Sequence, residues 1–446
     1  MTQLLQKLHA RIGDFWWYSL MIFVACRAAD LLNAFVGLWL VPKYVDPSEL
    51  GAVLPLAQFA NFLAIPAAAF ANAFRNEVSR LSVGREFGKL KTLMRGVFIA
   101  TAIFLFLAIV VARFTMPLLL ERIRIVEGSL GLVIIAASFV STVAPVYTNA
   151  LQALKKFKEQ SIINIIGAPV RLIAMLIAMP FRALTGYFVG QAATPAFGIV
   201  ASVFSLRKEF SAKAEPYWSR ETSKKILGLF LIFALGSIIG GFNGLIESTI
   251  IRQRLPDLDS AGYYMATRFS EIAGFLAATL SFTIFPFTAE KAASGKGYRT
   301  LVLKSIAANF TFCAVIAIAF VFCGKQLLSL LPHGEEYSAY WWATPWLIGT
   351  SFLGSIIILF TTAEVSAHRF GWMKWYLPLD LAYPIILLLV TGYGYYTHLL
   401  PTTWASFLTA HNIHSIYTML WWMTGNNLLK AAFCLIAMRR NSFKVA

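Results

Sequence analysis

The stretch AGYYMATRFSEIAGFLAATLSFTIFPFTAEKAASGK (261–296) decides the fold. Its apolar part, 262–288, is longer than the roughly 20 residues that a helix needs to cross the hydrocarbon core of a bilayer. Arg268 and Glu271 interrupt this apolar run, and a charged segment follows it. Residues three positions apart lie on the same side of a helix. We therefore predict a membrane-spanning helix that carries its own pair of opposite charges.

The rest of the chain has the composition of a polytopic membrane protein. It is 58% hydrophobic and 13% charged, whereas an average soluble domain is roughly 25% charged. Windows of about twenty apolar residues predict twelve spans, and hence an all-α fold. The predicted spans are roughly 16–41, 52–74, 92–118, 129–153, 161–181, 184–206, 226–251, 262–288, 301–323, 342–365, 371–396 and 416–438.

Lysine and arginine residues indicate the orientation of these spans. If the N-terminus lies inside, 26 of the 38 basic residues fall in segments on its side of the membrane, and seven fall in the opposite loops. Because basic residues accumulate in cytoplasmic loops, we predict that both termini are cytoplasmic. The net charge of +17 is then spread over short loops that meet anionic lipid. This distribution argues against a nucleic-acid partner.

The longest inside connection, RKEFSAKAEPYWSRETSKK (207–225), divides the spans into two sets of six. A shift of 211 residues places LSVGREFGKL on AASGKGYRTL, and each segment follows the second span of its half. Repeats of whole helix bundles are common in transporters. We therefore predict an N-terminal six-helix lobe (1–206), a cytoplasmic linker (207–225) and a C-terminal six-helix lobe (226–446).

Polar side chains recur along one face of several predicted spans. In IFVACRAADLLNAFVGLWL (22–40), Arg27 and Asp30 have the same spacing as Arg268 and Glu271. Lipid satisfies neither charges nor hydrogen bonds, so these faces must meet protein or a water-filled cavity. We predict a central polar cavity with net positive character. For any single amide or hydroxyl residue, a hydrogen bond between helices remains the alternative.

A cationic cavity suits an anionic substrate, because arginine binds phosphate and carboxylate groups through parallel hydrogen bonds. The candidate substrate-binding residues are Arg27, Arg171, Arg268, Asn61, Asn72, Asn149 and Asn243. Buried carboxyl groups exchange protons near neutral pH and also bind cations. The candidate ion-coupling residues are Asp30, Glu247, Glu271 and Asp380. Arg27 either contacts substrate or pairs only with Asp30.

The sequence offers little support for an enzyme. It contains no G-x-x-x-x-G-K-[ST] phosphate-binding loop, so we predict no ATP hydrolysis. The longest predicted outer stretch, 393–416, has no Asp, Glu, Lys or Arg residue to act in catalysis. We predict no enzymatic activity, no cofactor and no metal site.

Two segments resemble a known family. GYY (262–264) opens the eighth span and FP (285–286) closes it, as in polysaccharide flippases of the Wzx type. LQALKKFKEQSIINII (151–166) resembles the link between the fourth and fifth spans of those proteins. They belong to the superfamily that contains MATE drug exporters and the lipid II flippase MurJ. The resemblance covers most of 15–390.

The resemblance implies two six-helix lobes around a central cavity that opens to each side in turn. It also implies translocation of a polyprenyl-pyrophosphate-linked oligosaccharide, a polysaccharide repeat unit, from the inner to the outer leaflet of a bacterial cytoplasmic (inner) membrane. Arg27 and Arg268 occupy the spans in which such flippases often carry functional arginines. The implied partners are this substrate, membrane lipids, a coupling proton or sodium ion, and a glycan polymerase or glycosyltransferases.

Two other functions remain open at the level of the sequence. A MATE-like, ion-coupled exporter of organic cations would need an essential acidic residue and would tolerate loss of the arginines. A membrane scaffold that holds glycan-assembly enzymes without transport would tolerate substitutions in the cavity and would be sensitive to changes in the cytoplasmic loops.

Overall fold

The computed structural model of the protein is built from helices, and its described residues contain no strand. Those residues are 31–83, 86–125, 128–154, 156–211, 213–295, 297–367, 369–391 and 415–441.

Each predicted span overlaps a helix in the described residues, while residues 16–30 of the first span and 392–396 of the eleventh lie outside them. The helices are α1 (31–44), α2 (Val53–Val83), α3 (Phe87–Arg122), α4 (Gly128–Ala153), α5 (Phe157–Ala178), α6 (Ala183–Ser205), α7 (Arg220–Arg254), α8 (Asp257–Ala293), α9 (Arg299–Ser329), α10 (Ala343–Ser366), α11 (Met373–Thr391) and α12 (Ile416–Asn441). Among the described residues, nine helices are long and apolar enough to cross a membrane. The prediction of an all-α, polytopic membrane protein is confirmed.

Large apolar side chains cover the outer surface of the helices. Phe106, Phe114 and Phe322, for example, are 66%, 73% and 75% exposed. Soluble monomers rarely present such continuous apolar surfaces. The longest helices, α3 and α8, have 36 and 37 residues. At 1.5 Å per residue each is about 54 Å long, so both extend beyond a hydrocarbon core of about 30 Å.

The described residues of 44–253 form one compact unit. Side chains from α2, α3 and α4 meet in its core, where Phe74, Leu81, Leu93 and Val146 are fully buried. Close packing of this kind excludes water and stabilises the unit through apolar burial.

A buried arginine near the C-terminal end of α7 ties two other segments of this unit to that helix. The Nε of Arg252 donates to the carbonyl of Ile123 at 3.1 Å, and its Nη2 donates to the carbonyl of Ser48 at 2.7 Å. Arg124 reaches back to the carbonyl of Gln253 at 2.9 Å. These carbonyls lie at helix ends, where backbone acceptors have no partner within the helix. Arg252 therefore acts as a structural cap.

The described residues of 1–43 and of 254–446 form a second compact unit. Its core contains Leu280, Val302, Phe360 and Cys434 from α8, α9, α10 and α12. This unit provides the side chains of the first three polar groups described below.

The boundaries of the two compact units differ from the boundaries of the predicted lobes. Helix α1 packs with the helices of 254–446, whereas α7 packs with those of 44–253. Small residues allow the second of these contacts, since a Cβ at Gly241 would lie 2.3 Å from Cδ1 of Ile65. The predicted lobes follow chain order rather than contact, and that division remains a prediction.

Candidate functional site

Helix α8 carries an ion pair in the first half of its apolar run. The Nη1 of Arg268 donates to both carboxylate oxygens of Glu271, at 2.9 and 3.0 Å. One helical turn separates the two residues, so the pair forms within a single helix, as their spacing predicts. The side chain of Arg268 is 18% exposed, and that of Glu271 is 46% exposed.

Two neighbouring residues fix the position of Arg268. Its guanidinium carbon lies 4.9 Å from the centre of the Tyr264 ring, a distance that allows a cation–π interaction. The Tyr264 hydroxyl donates to the carbonyl of Gly37 on α1 at 3.2 Å. A Cβ at Gly37 would lie 3.1 Å from Cδ of Arg268. The glycine therefore lets α1 approach the arginine closely, at the π-helical turn Val36–Leu40.

The exposed fraction of the Glu271 side chain indicates which environment it can occupy. A carboxylate that is nearly half exposed cannot face hydrocarbon at this depth without a cost of several kcal/mol. Helix α8 is one of the helices that meet the length and hydropathy criteria for a span. The exposed side of Glu271 is therefore suited to an aqueous space rather than to lipid, and Arg268 lies beside it.

A second ion pair lies between α11 and α12. The Nζ of Lys430 donates to Oδ1 of Asp380, and the two residues are only 4% and 5% exposed. The same Nζ lies 5.6 Å from the centre of the Tyr383 ring. Sequence reasoning selected Asp380 but missed Lys430, its partner 50 positions away. The available signal was that Lys430 is the one basic residue within its predicted span.

A third polar group lies at the ends of α9 and α10. The Tyr298 hydroxyl donates to Oε1 of Glu364 at 2.8 Å, and Glu364 is buried. The guanidinium carbon of Arg369 lies 5.6 Å from the centre of the Tyr298 ring. Burial, followed by the charge of the Glu364 carboxylate, raises the pKa of Tyr298 above its usual value. Sequence reasoning missed this group, because its members come from separate segments.

In the unit formed by 44–253, Asn243 and Glu247 lie one turn apart on α7. Asn243 is buried and Glu247 is half-buried. Gln58 of α2 packs on the same helix, since a Cβ at Gly244 would lie 3.2 Å from its Oε1. Asn61 of α2 is exposed. Gln58 of α2 therefore lies against α7 at the residue that follows Asn243.

Among five other predicted site residues, the structure describes the side chain of one, Arg171. Arg171 lies half-buried on α5, in the unit formed by 44–253. Asn72 and Asn149 lie on α2 and α4, but their side chains are outside the described ones. Arg27 and Asp30 lie outside the described residues. The roles assigned to all five remain predictions.

Solved structures share this fold along almost its whole length. One is a multidrug-resistance MATE transporter of the MOP superfamily in an inward-facing conformation. Its TM-score is 0.69 at 12% identity, over 96% of this chain and 98% of that one. Another is the lipid II flippase MurJ in an inward closed conformation. Its TM-score is 0.65 at 14% identity, over 94% of this chain and 87% of that one.

A third solved structure is a MOP superfamily transporter from Pyrococcus furiosus. Its reversed binding-pocket polarity is described as suggesting a different function. It has a TM-score of 0.62 at 13% identity, over 96% of each chain. No sequence-family model and no curated protein matches the chain. The likeness confirms the predicted fold, which is shared by MATE transporters and MurJ.

Proposed function

We propose that the protein is a flippase that moves a polyprenyl-pyrophosphate-linked oligosaccharide from the inner to the outer leaflet by alternating access. The observation that carries this proposal is the Arg268–Glu271 pair on α8, whose carboxylate side chain is 46% exposed. It provides a cation inside a membrane-spanning helix, in a fold that a lipid flippase also adopts. A bacterial inner membrane and cytoplasmic termini are part of the proposal.

Arg268 offers a binding site for the pyrophosphate of the substrate. The oxygens of a pyrophosphate carry more charge than a single carboxylate, and arginine binds such groups through parallel hydrogen bonds. The headgroup therefore competes with Glu271 for Nη1 of Arg268, which now donates to both carboxylate oxygens. Tyr264 and Gly37 hold the arginine in place during this exchange.

The same exchange offers a site for ion coupling. A headgroup that takes Nη1 of Arg268 leaves the Glu271 carboxylate open to bind the coupling ion. Asp380 and Glu247 are the further coupling candidates among the described residues.

The direct test is to measure the lipid-linked oligosaccharide in each leaflet of cells that lack this protein and receive variants of it. Arg268→Ala should cause the intermediate to accumulate on the cytoplasmic side, while Arg268→Lys should retain part of the transport. Lys304→Ala is the matched control, because Lys304 is an exposed basic residue on α9. Normal transport by a well-expressed Arg268→Ala variant would contradict the proposal.

The second candidate function is ion-coupled export of organic cations. The exposed carboxylate of Glu271 favours it, since this group is also an acceptor for a cationic substrate. The fold is moreover that of a multidrug-resistance MATE transporter. Export of a cationic dye that requires Glu271 and survives Arg268→Ala would favour this function over the flippase.

A further inference from the structure

A separate cavity opens between α3 and α4, in the unit formed by 44–253. Its volume is about 430 Å³. Lys91 and Arg95 line one end, and Phe98, Ile99 and Val146 are among the apolar residues that line the rest. None of these residues belongs to the predicted substrate-binding or ion-coupling sets.

The sequence of α3 locates this cavity along the membrane normal. Lys91 and Arg95 are four positions apart and project from the same side of the helix. The next 17 residues, GVFIATAIFLFLAIVVA (96–112), contain no charge. Arg95 therefore lies where the headgroup region ends, and Phe98 lies where the hydrocarbon begins. The cavity crosses this boundary.

The position of Trp218 supports the same depth for the cavity in the membrane. A Cβ at Gly96 would lie 2.3 Å from the Trp218 ring, so the indole packs directly against α3 beside the cavity. Tryptophan is enriched at the level of the lipid headgroups. Tyr147 of α4 also lines the cavity and brings a hydroxyl group to it.

We propose that this cavity binds an anionic phospholipid. The lipid phosphate accepts hydrogen bonds from Lys91, Arg95 and the Tyr147 hydroxyl, and one acyl chain lies against Phe98 and Ile99. The two chemical parts of the ligand match the two ends of the cavity: cations outside the hydrocarbon and apolar side chains within it. Phe98, Ile99 and Arg95 are exposed, so lipid reaches them directly.

The charge of the cavity selects anionic lipid over zwitterionic lipid. Each basic residue near the membrane surface strengthens binding of anionic lipid by about fivefold. Phosphatidylcholine carries a compensating cation, so it gains little from Lys91 and Arg95. This inference does not depend on the transported substrate, because the cavity is lined by residues other than those of the α8 ion pair.

The test is native mass spectrometry of the delipidated full-length protein, titrated with phosphatidylglycerol or with phosphatidylcholine. Wild-type protein should bind one phosphatidylglycerol more tightly than phosphatidylcholine. Arg95→Gln and Lys91→Gln should each weaken that binding by about fivefold, whereas Arg95→Lys should keep most of it. Arg122→Gln is the control, because it removes an exposed charge from the other end of the same helix.

Three results would overturn the assignment. The first is equal binding of the two lipids by wild-type protein. The second is an Arg122→Gln variant that loses as much affinity as Arg95→Gln. The third is displacement of the bound lipid by a polyprenyl phosphate at lower concentration than by phosphatidylglycerol, which would assign the cavity to an isoprenoid ligand. Melting temperatures of the variants distinguish loss of binding from loss of folding.

Discussion

Lys430 of α12 donates a hydrogen bond from its Nζ to Oδ1 of Asp380 on α11, and both side chains are buried. The residues are distant in sequence, so the pair joins two helices that no short loop holds together. Each charge is costly inside a membrane when alone, and each removes most of that cost for the other. The pair therefore stabilises the α11–α12 contact only as long as both members are present.

Removing one member of this pair should cost more than removing both. We expect Lys430→Met to lower the free energy of unfolding by about 3–5 kcal/mol, because it leaves the Asp380 carboxylate buried without its cation. The double variant Asp380→Leu/Lys430→Met should recover most of the loss. Unfolding in detergent, followed by circular dichroism, measures the free energy of unfolding of wild type, Asp380→Leu, Lys430→Met and the double variant.

Lys304→Met provides the control for this series. Lys304 is exposed, so its replacement should change the free energy of unfolding by less than about 0.5 kcal/mol. If the losses of Asp380→Leu and Lys430→Met simply add in the double variant, the two side chains do not interact energetically.

Local patterns in the sequence were sufficient to predict the helices and one of the ion pairs. Arg268 and Glu271 lie on one helix, so their spacing alone predicts their contact. Lys430 and Asp380 meet only because α11 packs on α12, and no periodicity of either helix predicts that partner. The same holds for Tyr298 and Glu364, which lie 66 positions apart.

The division of the helices into two compact units also could not be predicted from local sequence patterns. Helix α1 belongs to the first predicted lobe and α7 to the second, so chain order indicates one set of partners for each. Packing depends instead on shape, at positions such as Gly37 and Gly241, where the absence of a side chain permits close approach. Composition does not distinguish such glycines from those with open space around them.

The Tyr298–Glu364 hydrogen bond predicts a dependence of stability on alkaline pH. The pKa of Tyr298 is raised in the folded protein, while in the unfolded chain it stays near 10. The folded state therefore keeps a proton that the unfolded state loses above about pH 10. Stability from this group is complete below pH 10 and declines as the pH rises further.

Tyr298→Phe should remove that part of the alkaline decline. At neutral pH it should also lower the free energy of unfolding by about 1–3 kcal/mol, because a buried carboxylate loses a hydrogen-bond donor. Unfolding midpoints measured between about pH 8 and pH 11 test both effects. Tyr417→Phe, at an exposed tyrosine of α12, should leave the decline unchanged. Parallel pH curves for wild type and Tyr298→Phe would rule out the assignment.

Gly186 allows the closest approach of α6 to the end of α5. A Cβ at this position would lie 2.4 Å from the backbone nitrogen of Met179. Because backbone cannot rotate away, Gly186→Ala must push the two helices apart, and we expect a loss of about 1–3 kcal/mol. At Gly236, by contrast, no described atom lies within 4 Å of a Cβ.

Gly236→Ala should accordingly stabilise α7 by about 0.5–1 kcal/mol, because glycine is unfavourable inside a helix. The two glycine variants therefore have opposite expected signs for the same chemical change. Thermal unfolding of both in one detergent gives the comparison. Equal shifts would mean that helix propensity, rather than the α5–α6 contact, determines the effect at Gly186.

The contact between Gly37 and Arg268 predicts a functional variant outside the charged residues themselves. A Cβ at Gly37 would lie 3.1 Å from Cδ of Arg268, so Gly37→Ala requires only a small movement of a flexible side chain. The two γ-carbons of a valine would displace Arg268 from Glu271. We expect Gly37→Val to slow transport of the lipid-linked oligosaccharide by about tenfold to a hundredfold, with Gly37→Ala near wild type.

A double variant separates this effect from simple damage to α1. If valine acts through Arg268, then Gly37→Val/Arg268→Ala should transport no worse than Arg268→Ala alone, because both changes remove the same interaction. Gly354→Val on α10 is the size-matched control, since no described atom lies within 4 Å of a Cβ there. Additive losses in the double variant, at equal amounts of protein in the membrane, would show that Gly37 and Arg268 act independently.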